Sequence, residues 1–164
     1  KYFDKKSGMY IVQDGDMPDP VILTKKELVH AQAYHEKHPL MTYESWVWYN
    51  MDVDGDTVTF AMRTDGLEGN IIHENKTSSG SISYEFYSKS MQWRIYALAL
   101  KPSHVQYNVF KYYKKTKKID YFRVNPVQEY IYYPYLGLEA EVRDWVRHLI
   151  NFCKNEDILE CIIR

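Results

Sequence analysis

Three side chains in one short stretch of the chain have the types and spacing needed for metal-assisted chemistry. Glu74 and Lys76 are two apart in an apolar, strand-like segment, so they share one face of that strand. Asp65, at the end of the preceding strand-like segment, can bring a second carboxylate to the same face. Converging carboxylates repel each other unless a cation lies between them, and hard oxygen ligands suit Mg²⁺ or Mn²⁺. A lysine beside such an ion can orient or deprotonate water, so the set predicts phosphodiester hydrolysis.

A second pair of residues follows on a predicted helix. Gln92 and Tyr96 are four apart, so they lie on one helix face. That face is available either to a DNA end or to the carboxylates of the site. The pair therefore extends the candidate site from the strands to the next helix.

The order Asp-x8-Glu-x-Lys, with Thr77 after the lysine and Gln-x-x-x-Tyr on the next helix, resembles the PD-(D/E)XK nuclease superfamily. Within this superfamily, the sequence around Glu74 resembles that of phage-type RecB/RecE-like exonucleases, and it is also similar to that of CRISPR-associated RecB-like nucleases. The resemblance covers roughly residues 39 to 154. It implies a restriction-endonuclease-like core and cleavage of DNA.

The resemblance also implies roles for individual residues. Asp65 and Glu74 would bind Mg²⁺ or Mn²⁺, with the backbone carbonyl of Asn75 as a further ligand. Lys76 would orient or deprotonate the attacking water. Gln92 and Tyr96 would position the DNA strand, and Thr77 or Ser78 would contact phosphate. Members of the family usually add a histidine from an upstream helix. His30 is the better candidate and His35 the alternative, while comparison with RecE-like proteins would place this histidine upstream of residue 1.

The pattern of elements predicts an α/β fold. We expect a helix over 25–37, a hairpin over 43–64 turning at Asp54-Gly55, a strand over 70–76, a helix over 83–100, strands over 104–113 and 119–124, and a last helix over 138–154. The first 23 residues read as turn-rich. These elements form a mixed β-sheet flanked by helices, with an N-terminal segment and helix (1–38), the core (39–154) and a C-terminal tail (155–164).

Composition limits the other classes of function. The net charge of −1 argues against a simple polycationic DNA-binding protein, although five lysines cluster over 111–118 and are typical of either a solvated turn or a phosphate-contacting surface. No apolar run is long enough to cross a bilayer, and no signal peptide is evident. Two cysteines offer neither a disulfide framework nor a metal cluster, which favours a cytoplasmic setting.

Two other metal sites are disfavoured by their spacing. Asp52, Asp54 and Asp56 begin like a calcium loop, but the glycine and the final glutamate of that loop are absent. His30, His35 and His38 lack a His-Glu-x-x-His arrangement and a nearby cysteine, which argues against zinc.

The sequence thus predicts a Mg²⁺- or Mn²⁺-dependent deoxyribonuclease, and the expected substrates are DNA ends in recombination, repair or phage replication. Expected partners are DNA, a recombination protein and further copies of the chain, without a membrane. The alternative is a catalytically inactive nuclease-like module that binds nucleic acid or a partner protein, with tyrosines over 112–133 stacking on bases or filling a core.

Overall fold

A computed structural model of the chain describes residues 2–4, 9–12, 21–23, 25–78, 83–113, 123–124 and 127–155. The strands are β1 (Tyr2–Asp4), β2 (Met9–Val12), β3 (Val21–Leu23), β4 (Thr42–Val53), β5 (Asp56–Glu68), β6 (Ile71–Ser78), β7 (His104–Tyr113), β8 (Arg123–Val124) and β9 (Gln128–Tyr132). The helices are α1 (Lys25–Lys37), α2 (Tyr84–Ser88), α3 (Met91–Leu100) and α4 (Leu138–Asn155). The predicted α/β fold is confirmed, with an open mixed sheet flanked by helices.

The large sheet combines an antiparallel and a parallel half. Strands β4, β5 and β6 pair antiparallel in chain order, and β6 then pairs parallel with β7. A parallel pair needs a crossover connection, which α2 and α3 supply between β6 and β7. Strands β8 and β9 both pair antiparallel with β7, whereas β1 to β3 form a separate small sheet.

The predicted hairpin turn is confirmed at the end of β4. Asp54 and Gly55 both have positive φ, 52° and 92°, which is the conformation that two-residue hairpin turns require. The two strands are longer than predicted and pair from Val53↔Asp56 to Thr42↔Leu67.

Two predictions need correction, and two other elements differ from the expected set. The helix expected over 83–100 is two helices, because the Ser90 side chain accepts a hydrogen bond from the Gln92 amide and caps a new helix there. The N-terminal region expected to be turn-rich contains three strands. Strand β9 was not predicted. Only residues 123–124 of the strand expected over 119–124 lie within the described part of the chain, where they form β8.

Each side of β6 packs against different helices. Ile72 is 1% exposed and belongs to a core cluster with residues of α3 and α4, such as Trp93 and Val142. On the other side, Tyr34 of α1 packs edge-on against Phe110 of β7, with 5.4 Å between the ring centroids. The sheet therefore lies between α1 and the pair α3–α4. Among the described residues, no helix is long and apolar enough to span a bilayer.

Candidate active site

Strand β6 places Glu74 and Lys76 on the side of the sheet that faces α3. Alternate residues of a strand point to the same side, and the register pairs Glu74 with Tyr107 of the neighbouring β7. The Lys76 ammonium lies 5.7 Å from the centroid of the Tyr107 ring, within the range of a cation–π contact. The two predicted residues therefore share a largely aromatic and apolar environment.

The Glu74 carboxylate is buried, with only 1% of the residue exposed. Its Oε2 atom accepts hydrogen bonds from Lys76 Nζ at 2.9 Å and from Gln92 Nε2 at 2.8 Å. Its Oε1 atom is buried and has no hydrogen-bond partner among the described residues. One oxygen is thus anchored, while the other is an unsatisfied acceptor of the kind that a cation would bind.

Asp65 closes the site from β5. Its Oδ2 atom accepts a hydrogen bond from the backbone N–H of Asn75 at 2.7 Å, which ties β5 to β6 beside Glu74. Burial raises the pKa of Glu74 above its usual value, the Lys76 ammonium opposes that rise, and the Asp65 carboxylate adds to it. A buried carboxyl with a second carboxylate beside it is an arrangement that a divalent cation would stabilise.

The two predicted residues of α3 bind the protein itself. Gln92 contacts Glu74, and its Nε2 atom also lies 3.4 Å from the Tyr96 hydroxyl. That hydroxyl donates a hydrogen bond to the Arg63 carbonyl of β5 at 2.7 Å, and Tyr96 is only 1% exposed. Tyr96 thus holds β5 against α3 from a buried position, and its expected role in positioning DNA stays a prediction.

Three further predicted residues, Asn75, Thr77 and Ser78, also belong to β6. Thr77 is exposed and Ser78 half-buried at the end of β6. The Asn75 side chain points to the α1 side, where its Oδ1 accepts a hydrogen bond from the Tyr34 hydroxyl at 3.0 Å. A metal contact by the Asn75 carbonyl stays a prediction.

The two candidate upstream histidines lie on α1. The His30 side chain is outside the described part of the structure, so its role as a ligand stays a prediction. His35 is exposed, and its Nδ1 lies 3.1 Å from the Tyr43 hydroxyl.

A cluster that the sequence did not predict lies on the α1 side of β6. His38 Nδ1 is 2.7 Å from Glu68 Oε2, and His73 Nε2 is 3.5 Å from the same oxygen. Burial, and then the neighbouring His38, lowers the pKa of His73 to about 4, so this imidazole is neutral at physiological pH. Motif spacing missed the cluster because its members belong to three different elements, although strand alternation does place His73 opposite Glu74.

Exposed aromatic side chains lie on the β4–β5 hairpin. Trp46 and Trp48 are 63% and 67% exposed, and their rings stack with 6.2 Å between centroids. The Arg63 guanidinium lies 5.9 Å from the Trp46 ring centroid. Among the predicted stacking tyrosines, Tyr132 is instead buried in the core, while residues 114–118 of the lysine cluster lie outside the described part.

Comparison with known proteins supports the fold and is silent on the site. No family model matches the chain, and no curated protein matches it. The chain is similar to the crystal structure of SSO0001, with a TM-score of 0.55 and 17% identity, over 77% of this chain and 58% of that one. The chain thus spans less than two thirds of that protein's length, and the likeness shows a shared α/β fold alone.

Proposed function

We propose that this protein is a Mg²⁺- or Mn²⁺-dependent DNA nuclease whose reactive centre is formed by Asp65, Glu74 and Lys76. The observation that carries the proposal is the buried Glu74 carboxylate, with one oxygen held by Lys76 and Gln92 and the other unsatisfied. Ion pairs alone are weak evidence for a site. An unsatisfied buried carboxylate oxygen next to a second acid is more specific, because such groups cluster where a protein binds a cation.

The donor set fits the proposed ion. Asp65 and Glu74 supply carboxylate oxygens, which are the ligands that Mg²⁺ and Mn²⁺ prefer. Asp65 uses Oδ2 for the Asn75 amide, and Oδ1 would be the oxygen that binds the ion. When bound, the ion would supply a Lewis acid for a phosphate oxygen and neutralise the two carboxylates.

The protein's own residues would activate the water and position the catalytic groups. Lys76 is 30% exposed at its side chain, so its ammonium can reach both Glu74 and an incoming water. Gln92 fixes the orientation of the Glu74 carboxylate, and Tyr96 holds β5 in place through the Arg63 carbonyl. This division makes Gln92 and Tyr96 positioning residues.

DNA is the proposed substrate because of the resemblance around Glu74 and the exposed surface nearby in sequence. The stacked Trp46–Trp48 pair, with Arg63 beside it, presents aromatic faces and a positive charge, which are the features that bind single strands without sequence preference. End processing in recombination, repair or phage replication, in the cytoplasm, is part of the proposal. The same surface also suits the rival function, a module that binds DNA without cutting it.

A cleavage assay separates the two functions. Linear and circular DNA would be incubated with the protein in Mg²⁺, Mn²⁺ or EDTA, beside Lys76→Ala and the matched control Lys89→Ala, an exposed lysine at the end of α2. We expect metal-dependent loss of linear DNA that disappears in Lys76→Ala and persists in Lys89→Ala. Loss of linear but not circular DNA would identify an exonuclease.

Two results would overturn the proposal. Cleavage that survives both Lys76→Ala and Glu74→Ala would remove these residues from the reactive centre. A folded protein that binds DNA in EDTA and cuts it with neither metal would instead establish the binding module.

A further inference from the structure

Three potential metal ligands from three elements meet on the α1 side of β6. His38 follows the end of α1, Glu68 is the last residue of β5, and His73 lies within β6. One ligand atom of each lies within 4.8 Å of the others. Because the residues are 30 and 5 positions apart in the sequence, the register of the sheet and the docking of α1 bring them together.

The His73 ring is oriented by a buried polar chain. Asn108 Nδ2 lies 3.3 Å from His73 Nδ1, and Asn108 in turn accepts a hydrogen bond from Gln106 at 2.8 Å. These contacts leave Nε2 as the nitrogen that faces Glu68. The contact fixes the ring orientation, as a partner on the far ring nitrogen does in metal-binding histidines. Because the Asn108 amide nitrogen donates this hydrogen bond, the ring proton of neutral His73 lies on Nε2 in the metal-free chain, and a metal that binds Nε2 would displace it.

The cluster also contains buried polar atoms that the protein leaves unsatisfied. His73 is 1% exposed, and its Nε2 has no hydrogen-bond partner among the described residues. The Nε2 atom of His38, which is 6% exposed, also has no hydrogen-bond partner among the described residues, but the His38 nitrogen that faces Glu68 is Nδ1. Nearly all buried polar side-chain atoms in proteins have a partner, so the unsatisfied His73 Nε2 beside the Glu68 carboxylate indicates a missing ligand.

We propose that His38, Glu68 and His73 bind a Zn²⁺ ion, on the opposite side of β6 from Glu74. Two imidazole nitrogens and one carboxylate oxygen form a common zinc ligand set, and imidazole disfavours Mg²⁺. A tetrahedral Zn²⁺ keeps its ligand atoms about 3.3 to 3.6 Å apart. The 3.5 Å between His73 Nε2 and Glu68 Oε2 fits this spacing.

Binding would replace one hydrogen bond of the cluster. The 2.7 Å between His38 Nδ1 and Glu68 Oε2 is a hydrogen-bond distance, so these two atoms must separate by about 0.6 Å or more to admit the ion. The Glu68 side chain is 24% exposed, which allows water to reach the fourth coordination position. The His38 end of α1 and the turn between β5 and β6 would then be fastened to each other.

This site is independent of the proposed nuclease centre. Adjacent residues of a strand point to opposite sides, so His73 and Glu74 cannot both reach one ion without breaking β6. The role that the position supports is structural: the ion would stabilise the packing of α1 against the sheet, since a ligand that binds only the folded chain raises its stability.

Zinc titration of the tag-free full chain tests the proposal. The protein would be stripped with EDTA, exchanged into excess Mg²⁺ to occupy hard-oxygen sites, and titrated with ZnCl₂ by calorimetry. Thermal unfolding would be followed in parallel. We expect one Zn²⁺ per chain and a higher Tm with Zn²⁺. Glu68→Gln should weaken binding by about tenfold or more and remove the Tm increase, since loss of even a supporting residue costs that much.

Three variants identify which site holds the ion. His38→Gln should behave like Glu68→Gln. His35→Gln, an exposed histidine of α1, should bind Zn²⁺ as the unmodified chain does, and so should Glu74→Gln. Glu68→Gln keeps a hydrogen-bond acceptor for His38, so an unchanged Tm in EDTA verifies its fold. Absence of Zn²⁺ binding to the unmodified chain, unchanged binding in Glu68→Gln, or loss of binding in Glu74→Gln would each overturn the proposal.

Discussion

Buried charged and polar groups have different surroundings on the two sides of strand β6. On the α3 side, Glu74 lies among apolar and aromatic residues such as Ile72, Tyr107 and Val109, with Lys76 as a cation and Asp65 as a second acid beside it. On the α1 side, the neighbours are polar. Asn108 contacts His73, Asn75 and the Tyr34 hydroxyl together.

The two sides therefore suit different metal ions. An acid in an apolar environment is costly to ionise, so its pKa rises, and a hard divalent cation would relieve that cost. On the α1 side, burial lowers the pKa of His73 and keeps this imidazole neutral, and neutral imidazole is the form that binds zinc. We therefore expect the two sides to differ in metal preference, in pH response and in their contribution to stability.

On the α3 side, we expect Asp65→Asn to cause a large loss of DNA cleavage without a large loss of stability. The amide oxygen of asparagine can still accept the hydrogen bond from the Asn75 backbone, which is 2.7 Å in the unmodified chain, but the charge is lost. If Asp65 holds the cation, DNA cleavage should fall about a hundredfold or more. The Tm in EDTA should stay within about 3 °C of the unmodified chain, which corresponds to about 1 kcal/mol at this length.

Asp65→Ala is the matched variant. It removes both the charge and the acceptor, so it should lose cleavage and also unfold at a lower temperature. Cleavage by Asp65→Asn at the unmodified rate would show that Asp65 has only the structural role.

A pH response of intermediate size is expected from the α1 side. The pKa of His73 is lowered to about 4 from an ordinary value of 6.5, so the unfolded chain binds more protons than the folded chain between these values. The stability contributed by neutral His73 is thus complete above pH 6.5 and is lost as the pH falls toward about 4. In metal-free protein, the loss between pH 7.5 and pH 5 should be about 2 kcal/mol.

Urea unfolding at both pH values measures this loss. His73→Gln should remove most of the difference, whereas His148→Gln, at an exposed position of α4, should leave it intact. An equal pH response in His73→Gln and the unmodified chain would mean that other groups on this side titrate instead.

Local periodicity was sufficient to predict most of one side of β6 and little of the other. Glu74 and Lys76 follow from strand alternation, and Gln92 follows from the helix repeat, because each rule needs only neighbours in the sequence. The structure brings these side chains into hydrogen-bonding contact. Their catalytic roles remain predictions.

The histidine cluster could not be predicted because it depends on long-range packing. His38 was considered for zinc only with its sequence neighbours, and its partners come from β5 and β6 instead. The contact between His38 and Glu68 requires the end of α1 to dock beside the β5–β6 turn, which no local pattern specifies.

Among the secondary-structure elements, too, only those with a strong local signal could be predicted. The turn at Asp54-Gly55 was predictable because positive φ has a strong residue preference. The break at Ser90 was not, because a serine in a helical pattern can lie within one helix or cap a new one, and the local sequence does not decide between them. Strand β9 lacked clear alternation, and its pairing with β7 defines it.

The smallest change in stability, and the most discriminating, is expected from Glu74→Gln, which should abolish cleavage and yet stabilise the metal-free protein. Burial raises the pKa of Glu74 above 4.5, so the folded chain favours the protonated acid. The stability contributed by the protonated acid is present below pH 4.5 and is lost as the pH rises through the folded-state pKa. Glutamine is neutral throughout, so in EDTA at pH 8 it should raise the unfolding free energy by about 1 kcal/mol and the Tm by roughly 3 °C.

Two further measurements, at pH 4 and with added Mn²⁺, test whether burial of the Glu74 charge is the cause of the stability gain. At pH 4 the advantage of Glu74→Gln should vanish, because the unmodified carboxyl is then protonated in the folded chain. Adding Mn²⁺ at pH 8 should also close the gap, since only the unmodified chain gains stability from binding the ion. If Glu74→Gln is instead less stable in EDTA at pH 8, the ion pair with Lys76 outweighs the cost of burial, and the α3 side does not need a cation to hold its acid.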